Sequence, residues 1–206
     1  MPAVGQKGMS VTMKSILVCG VGGQGTLLAS KLIAQAAMAK GWQARSAETI
    51  GMAQRGGSVV SHVRIGDEIF SPMIPLDGAD VILGFEPGEA MRALPYLKQG
   101  GTVVVSPKAV QPVTASLGAS KYNGEEAFSW LQKKVSDLIV VDGEKICMQC
   151  GSPKVLNIAM LGAAASRNVF GITLNELEEA IRARVPERFW SMNLQALQLG
   201  ADAAKK

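Results

Sequence analysis

The stretch Gly20-Val21-Gly22-Gly23-Gln24-Gly25-Thr26 constrains this chain more than any other. It follows a short apolar run, residues 15–19, and precedes Leu28, Leu32, Gln35, Ala36 and Ala39, which recur at helical spacing until Gly41. That order reads as strand, glycine-rich turn, helix and C-terminal glycine. The Gly-x-Gly-x-x-Gly spacing suits a tight turn whose unpaired amides, at the positive end of a helix dipole, can cradle a phosphate. The same glycines would equally let helix and strand pack closely.

An ordinary dinucleotide site would add an acidic residue at the end of the second strand, roughly 20 residues on, for the ribose hydroxyls. Glu48 stands 28 residues after Gly20, too far for that pattern, and a nicotinamide dehydrogenase is therefore the second reading. After a second strand at 43–47 comes a loop, 49–57, containing three glycines. Within it Arg55 precedes Gly56 and Gly57, a pattern that lets backbone approach a ligand while a guanidinium offers a bidentate contact to an anion. An exposed turn with a surface arginine is the plainer alternative. Both loops are expected at the carboxyl ends of neighbouring parallel strands, the edge where open α/β sheets bind ligands.

Further along, Val59, Ser61, Val63 and Ile65 alternate with Val60, His62 and Arg64, a period of two, and Gly66-Asp67 can turn the chain back into Ile69-Phe70. Apolar runs at 81–85 and 102–106 flank a helix at 88–97, and a strand at 138–141 follows a helix at 125–134. Ser152 caps a helix at 154–167 that is apolar nearly all round and belongs inside the fold or an interface. Thr173 and Glu176 make a capping box for a helix to Arg184, Pro186 breaks it, and a last helix spans 188–200. The expected fold is doubly wound, mostly parallel α/β (Rossmann-like), with an added antiparallel hairpin and a C-terminal helical layer. Residues 1–12 read as a flexible leader and 13–206 as one domain.

Composition narrows the function classes. Hydrophobic residues are 48% and charged residues 18% of the chain, apolar enough to suggest a face for a partner. The net charge of +4 is spread without a basic stripe and aromatics are 5%, which argues against nucleic acid. Apolar stretches are shorter than the roughly 20 residues of a membrane span, and no signal peptide is evident, so a cytoplasmic protein is expected. Three cysteines imply no disulfide framework. Cys147 and Cys150 form a C-x-x-C without the second pair a zinc or iron–sulfur site would need, and without placement at a helix start. Cys19 reads as a small buried hydrophobe. His62, the one histidine, lacks a nucleophile in any recognisable motif and suits hydrogen bonding or an interface; no catalytic residue is expected in this chain.

Taken together, Gly20-x-Gly-Gly-Gln-Gly25, Glu48-Thr49, Gln54-Arg55-Gly56-Gly57 and a strand ending in Val63-Arg64 resemble the gamma subunit of 2-oxoacid:ferredoxin oxidoreductases. The resemblance continues through Phe85-Glu86-Pro87-Gly88-Glu89-Ala90, Asn157, Leu161-Gly162 and Asn193-Leu194-x-Ala196, covering nearly all of residues 14–200. Glu86-Pro87 with Glu89-Ala90-x-Arg92 is most similar to the small subunit of indolepyruvate oxidoreductases. The resemblance implies oxidative decarboxylation of a 2-oxoacid to an acyl-CoA, with coenzyme A as cosubstrate. It also implies a cofactor-binding set made of Gly20, Gly22, Gly23, Gln24, Gly25 and Thr26, with Arg55, Gly56, Gly57 and Ser58 as the second loop. The Gly-Asp-Gly and Asn motif for magnesium and thiamine diphosphate is missing, as is a cysteine-rich ferredoxin run. Thiamine diphosphate, Mg and iron–sulfur clusters are thus expected in a larger, alpha-type partner subunit, with ferredoxin reached through the complex. A non-catalytic assembly module is the third reading.

Overall fold

The computed structural model describes residues 13–50, 57–111 and 122–205. Its centre is a six-stranded sheet in the order β2-β3-β1-β4-β5-β6. The strands are β1 (Lys14–Val21), β2 (Gln43–Ile50), β3 (Ser58–Gly66), β4 (Ala79–Gly84), β5 (Leu97–Val105) and β6 (Asp137–Val140). β1, β4, β5 and β6 are parallel neighbours, while β3 runs antiparallel to both β1 and β2. β1 is buried along almost its whole length, and so reads as a continuous apolar run rather than an alternation.

Two expectations need correction here. β3 lies between β1 and β2, with Ile16 opposite Val63 on one side and Ser46 opposite Val63 on the other, so the glycine-bearing loops follow strands that are parallel but not adjacent. β3 pairs antiparallel with β2, the strand before it in sequence, as well as with β1. Residues 67–78 form no strand. They cross the sheet face that Val60, His62 and Arg64 present, and polar side chains take up their backbone groups in place of a ladder. Arg45 Nε donates to the Ile69 carbonyl (2.6 Å), an Arg64 guanidinium nitrogen to the Ser71 carbonyl (3.1 Å), and Ile74 N to His62 Nδ1 (3.2 Å). Burial lowers the His62 pKa, which keeps the ring neutral and Nδ1 an acceptor. His62 is thus a hydrogen-bonding residue of the fold.

Helices α1 (Thr26–Ala39), α5 (Leu156–Ser166), α6 (Leu174–Arg184) and α7 (Trp190–Ala203) share one apolar core with one face of the sheet. The other face forms a second core, with residues of α2 (Pro87–Ala93) and α3 (Gly124–Lys134). A short helix, α4 (Gly143–Gln149), follows β6. The capping box of Thr173 and Glu176 is present at the start of α6. α5 is buried from Asn157 to Ala165, and what covers it belongs to this chain rather than to a partner. It meets α7 at reciprocal glycines: a Cβ built on Gly162 would lie 2.0 Å from the Leu197 carbonyl oxygen, and one on Gly200 would lie 1.9 Å from that of Ala159. Only glycine at both positions lets the two backbones touch. No helix among the described residues is long and apolar enough to cross a membrane.

Candidate functional site

The chain leaves β1 toward α1 on one side of the sheet and leaves β4 toward α2 on the other. β1 and β4 are neighbours, so their carboxyl ends form the topological switch point, where the diverging loops open a crevice. Gln24 fastens that crevice together. Its Oε1 accepts from Val21 N (2.8 Å) and its Nε2 donates to the Phe85 carbonyl (2.9 Å), one side chain joining the loop after β1 to the end of β4.

The glycines of this loop are required for different local reasons. A Cβ on Gly20 would lie 2.7 Å from Gln24 Oε1, and one on Gly25 would lie 2.7 Å from Asn157 Nδ2, which also donates to the Gly25 carbonyl (3.2 Å). These two serve packing. Gly23 has φ +103° with open space where a Cβ would stand, so it is needed for backbone conformation alone. Gly22 N already donates to the Gly57 carbonyl (2.8 Å) and Gln24 N to that of Val21 (3.2 Å), so those amides are engaged within the protein. Thr26 is buried as the first residue of α1.

Of the second expected loop, Gly57 stands against the first loop through that Gly22 bond. Ser58 has a structural partner: its hydroxyl donates to Glu89 Oε2 (2.6 Å). Arg55 and Gly56 lie outside the described residues. Glu48, exposed on the edge strand β2, is separated from β1 by β3, so it is not on the strand beside the glycine loop where a ribose-binding acid would stand.

Sequence reasoning named Glu86 and Glu89 only as part of a resemblance, yet both carboxylates are buried beside this edge. Glu86 caps α2, accepting from Glu89 N (2.9 Å) and from the Tyr122 hydroxyl. Glu89 divides its oxygens between Ser58 and Arg92. Burial first, and then the hydrogen bond to Glu86, pushes the Tyr122 phenol well above its ordinary pKa, so it acts as a donor.

A cavity of about 480 Å³ opens at the switch point. Gly23, Gln24 and Phe85 form one wall, Ser106 and Lys108 beyond β5 another, and α4 with residues 151–156 a third. Its size is that of a small-molecule site, about 300–1,000 Å³. The second and third walls went unnoticed in the sequence, although Asp142 as N-cap with Glu144 in the first turn was a legible helix start. Cys147 lines this cavity and Cys150 is the C-cap residue of α4. Both thiols have raised pKa values, chiefly through burial, and they sit at a helix C-terminus, where the dipole disfavours a thiolate. Cys19, fully buried on β1, is raised further for the same reason.

The family model for pyruvate ferredoxin/flavodoxin oxidoreductase matches residues 15–203. The chain belongs to that family. It is 37% identical over 194 residues to the indolepyruvate oxidoreductase subunit IorB of Pyrococcus horikoshii, covering 93% of this chain and 96% of that protein. Identity to the protein of the same name in Archaeoglobus fulgidus is 38% over 191 residues, 92% and 94% of the two chains. Among solved structures, the gamma subunit of a keto/oxoacid ferredoxin oxidoreductase from Geobacter sulfurreducens superposes with a TM-score of 0.68 at 26% identity, covering 93% of this chain and 98% of that one. A 2-oxoglutarate:ferredoxin oxidoreductase from Magnetococcus marinus, described with 2-oxoglutarate, coenzyme A and succinyl-CoA bound, shares the fold at TM-score 0.70 and 20% identity. The match spans 94% of this chain and 31% of that longer one. The chain is therefore an oxidoreductase subunit of the 2-oxoacid:ferredoxin type, and the doubly wound fold expected from its sequence is the fold it has.

Proposed function

We propose that the chain is the small subunit of an indolepyruvate-type oxidoreductase and that its switch-point cavity forms part of the cleft for coenzyme A and the 2-oxoacid. The observation that carries this reading is the cavity itself, walled by the glycine loop and the ends of β4 and β5. The amides of Gly23, Gly25 and Thr26 are the ones assigned to a phosphate, since those of Gly22 and Gln24 are engaged. Arg55 and Gly56 would complete the anion site from the second loop, with Gly57 and Ser58 holding that loop in place.

The larger subunit would carry thiamine diphosphate, Mg and iron–sulfur clusters, which supply the decarboxylation and pass electrons to ferredoxin in the cytoplasm. This chain's own residues orient coenzyme A and exclude water; none attacks the substrate. Their contribution is positional, which converts an encounter in solution into a fixed approach.

Two outcomes test the reading. The purified chain alone should show no 2-oxoacid oxidation, whereas co-expression with the thiamine-binding subunit should give a brown complex that reduces a dye acceptor with indolepyruvate and coenzyme A. Reduction of NAD by the isolated chain with a substrate of its own would refute it. Within the complex, Gly23→Val should weaken coenzyme A binding by about tenfold or more in calorimetry, because valine does not adopt φ +103° without strain of roughly 1–3 kcal/mol.

A further inference from the structure

Two residues lining the switch-point cavity are charged, Lys108 and Glu144, and they form an ion pair with each other. Lys108 lies just beyond β5 and Glu144 in the first turn of α4, so the pair bridges two walls. Their side chains are 55% and 52% exposed. So wet a pair is held weakly and exchanges easily for another partner. Much of the rest of the lining is apolar, including Phe85, Val110, Met148 and Leu156. Among the described lining residues, an anionic ligand entering the cavity would meet one cation, Lys108, already paired with the carboxylate that repels the ligand. The Lys108 ammonium also reaches the interior electrostatically, since its charge opposes the effect of burial on the Cys147 thiol.

We propose that Lys108 binds an anionic group of the ligand in this cavity and that Glu144 is its competitor, displaced from Lys108 when the ligand enters. The inference rests on the cavity being the coenzyme A and 2-oxoacid cleft. The anion is a phosphate of the coenzyme or the carboxylate of the oxoacid, which present the same chemistry to an ammonium. Lysine suits the exchange: its charge rides on a flexible stem and turns from one acceptor to another without a fixed fork.

Opposite signs identify such a competitor. In the assembled complex, Lys108→Met should raise a dissociation constant about tenfold, the scale of one charge-assisted hydrogen bond. Glu144→Gln should lower the same constant about two- to fivefold, because the ligand no longer displaces a carboxylate. Calorimetry with coenzyme A and with dephospho-coenzyme A, beside KM for indolepyruvate, separates the sources. An effect on coenzyme A that vanishes with the dephospho form places the 3′-phosphate on Lys108; one that persists places the pyrophosphate there; one confined to the oxoacid KM places the carboxylate there. Constants unchanged in both variants, or moved in the same direction, would overturn the assignment and leave a surface salt bridge. Gly23→Val serves as the reference. If it weakens coenzyme A binding while both charge variants leave all constants unchanged, Lys108 alone is misassigned. If Gly23→Val has no effect on coenzyme A binding, the cleft reading itself fails.

Discussion

Gly200→Ala should lower the melting temperature of this protein by about 10 °C, a loss of about 3 kcal/mol for a chain of this size. The sign is what makes the experiment informative. In an ordinary helix interior the same change is stabilising by about 1 kcal/mol, because alanine is the better helix former. Here the added methyl would stand 1.9 Å from the Ala159 carbonyl oxygen, where only separation of α5 and α7 can make room. Gly162→Ala meets the Leu197 carbonyl at 2.0 Å and should behave alike. The disturbance would reach the cavity as well, since α5 carries Leu156 in its wall and Asn157 against the Gly25 carbonyl. A raised melting temperature in either variant would show that the two backbones do not touch.

That contact also shows where the sequence was readable and where it was not. The apolar run of α5 announced burial, but a helix apolar all round looks the same whether its cover comes from its own chain or another. The deciding residues, Gly162 and Gly200, are far apart in sequence and uninformative singly. β1 and the glycine turn were legible because a continuous apolar run ending in glycines has few structural solutions. The insertion of β3 between β1 and β2 was not legible. Alternation at Val59–Ile65 specifies a half-buried strand and says nothing of which strands flank it.

The segment 67–78 carried a turn signal at Gly66-Asp67 that invited a second hairpin strand. Part of its backbone bonds instead to Arg45, Arg64, His62 and Gln43, side chains whose reach no local pattern encodes. At the cavity, Gly23 and Gln24 belong to the loop that the sequence singles out, and the residues of the other two walls do not. α4 has seven residues with Ile146 as its one buried apolar side chain, too little for a periodicity to register. Lys108 follows β5 and Glu144 follows β6, so their direct pairing is a property of topology and not of a local pattern.

Gln24→Glu should weaken coenzyme A binding by tenfold or more and destabilise the chain by about 2 kcal/mol, although the side chain keeps its shape. The wild-type amide accepts from Val21 N through Oε1 and donates to the Phe85 carbonyl through Nε2. A carboxylate retains the first bond and replaces the second by two acceptors facing each other, so the Phe85 oxygen loses its donor, a cost of about 1–3 kcal/mol. It also sets a negative charge beside amides assigned to a phosphate. Both effects belong to the ionised form. Facing a carbonyl raises the variant's carboxyl pKa above its ordinary value of about 4.3. The penalty is thus full well above that raised pKa and declines as pH falls through it, where the protonated carboxyl of the variant donates to Phe85 as glutamine does. Gln24→Ala provides the contrast, losing both bonds at every pH. A Gln24→Glu complex whose affinity matches wild type across the pH range would show that this bridge between β1 and β4 does not shape the cleft.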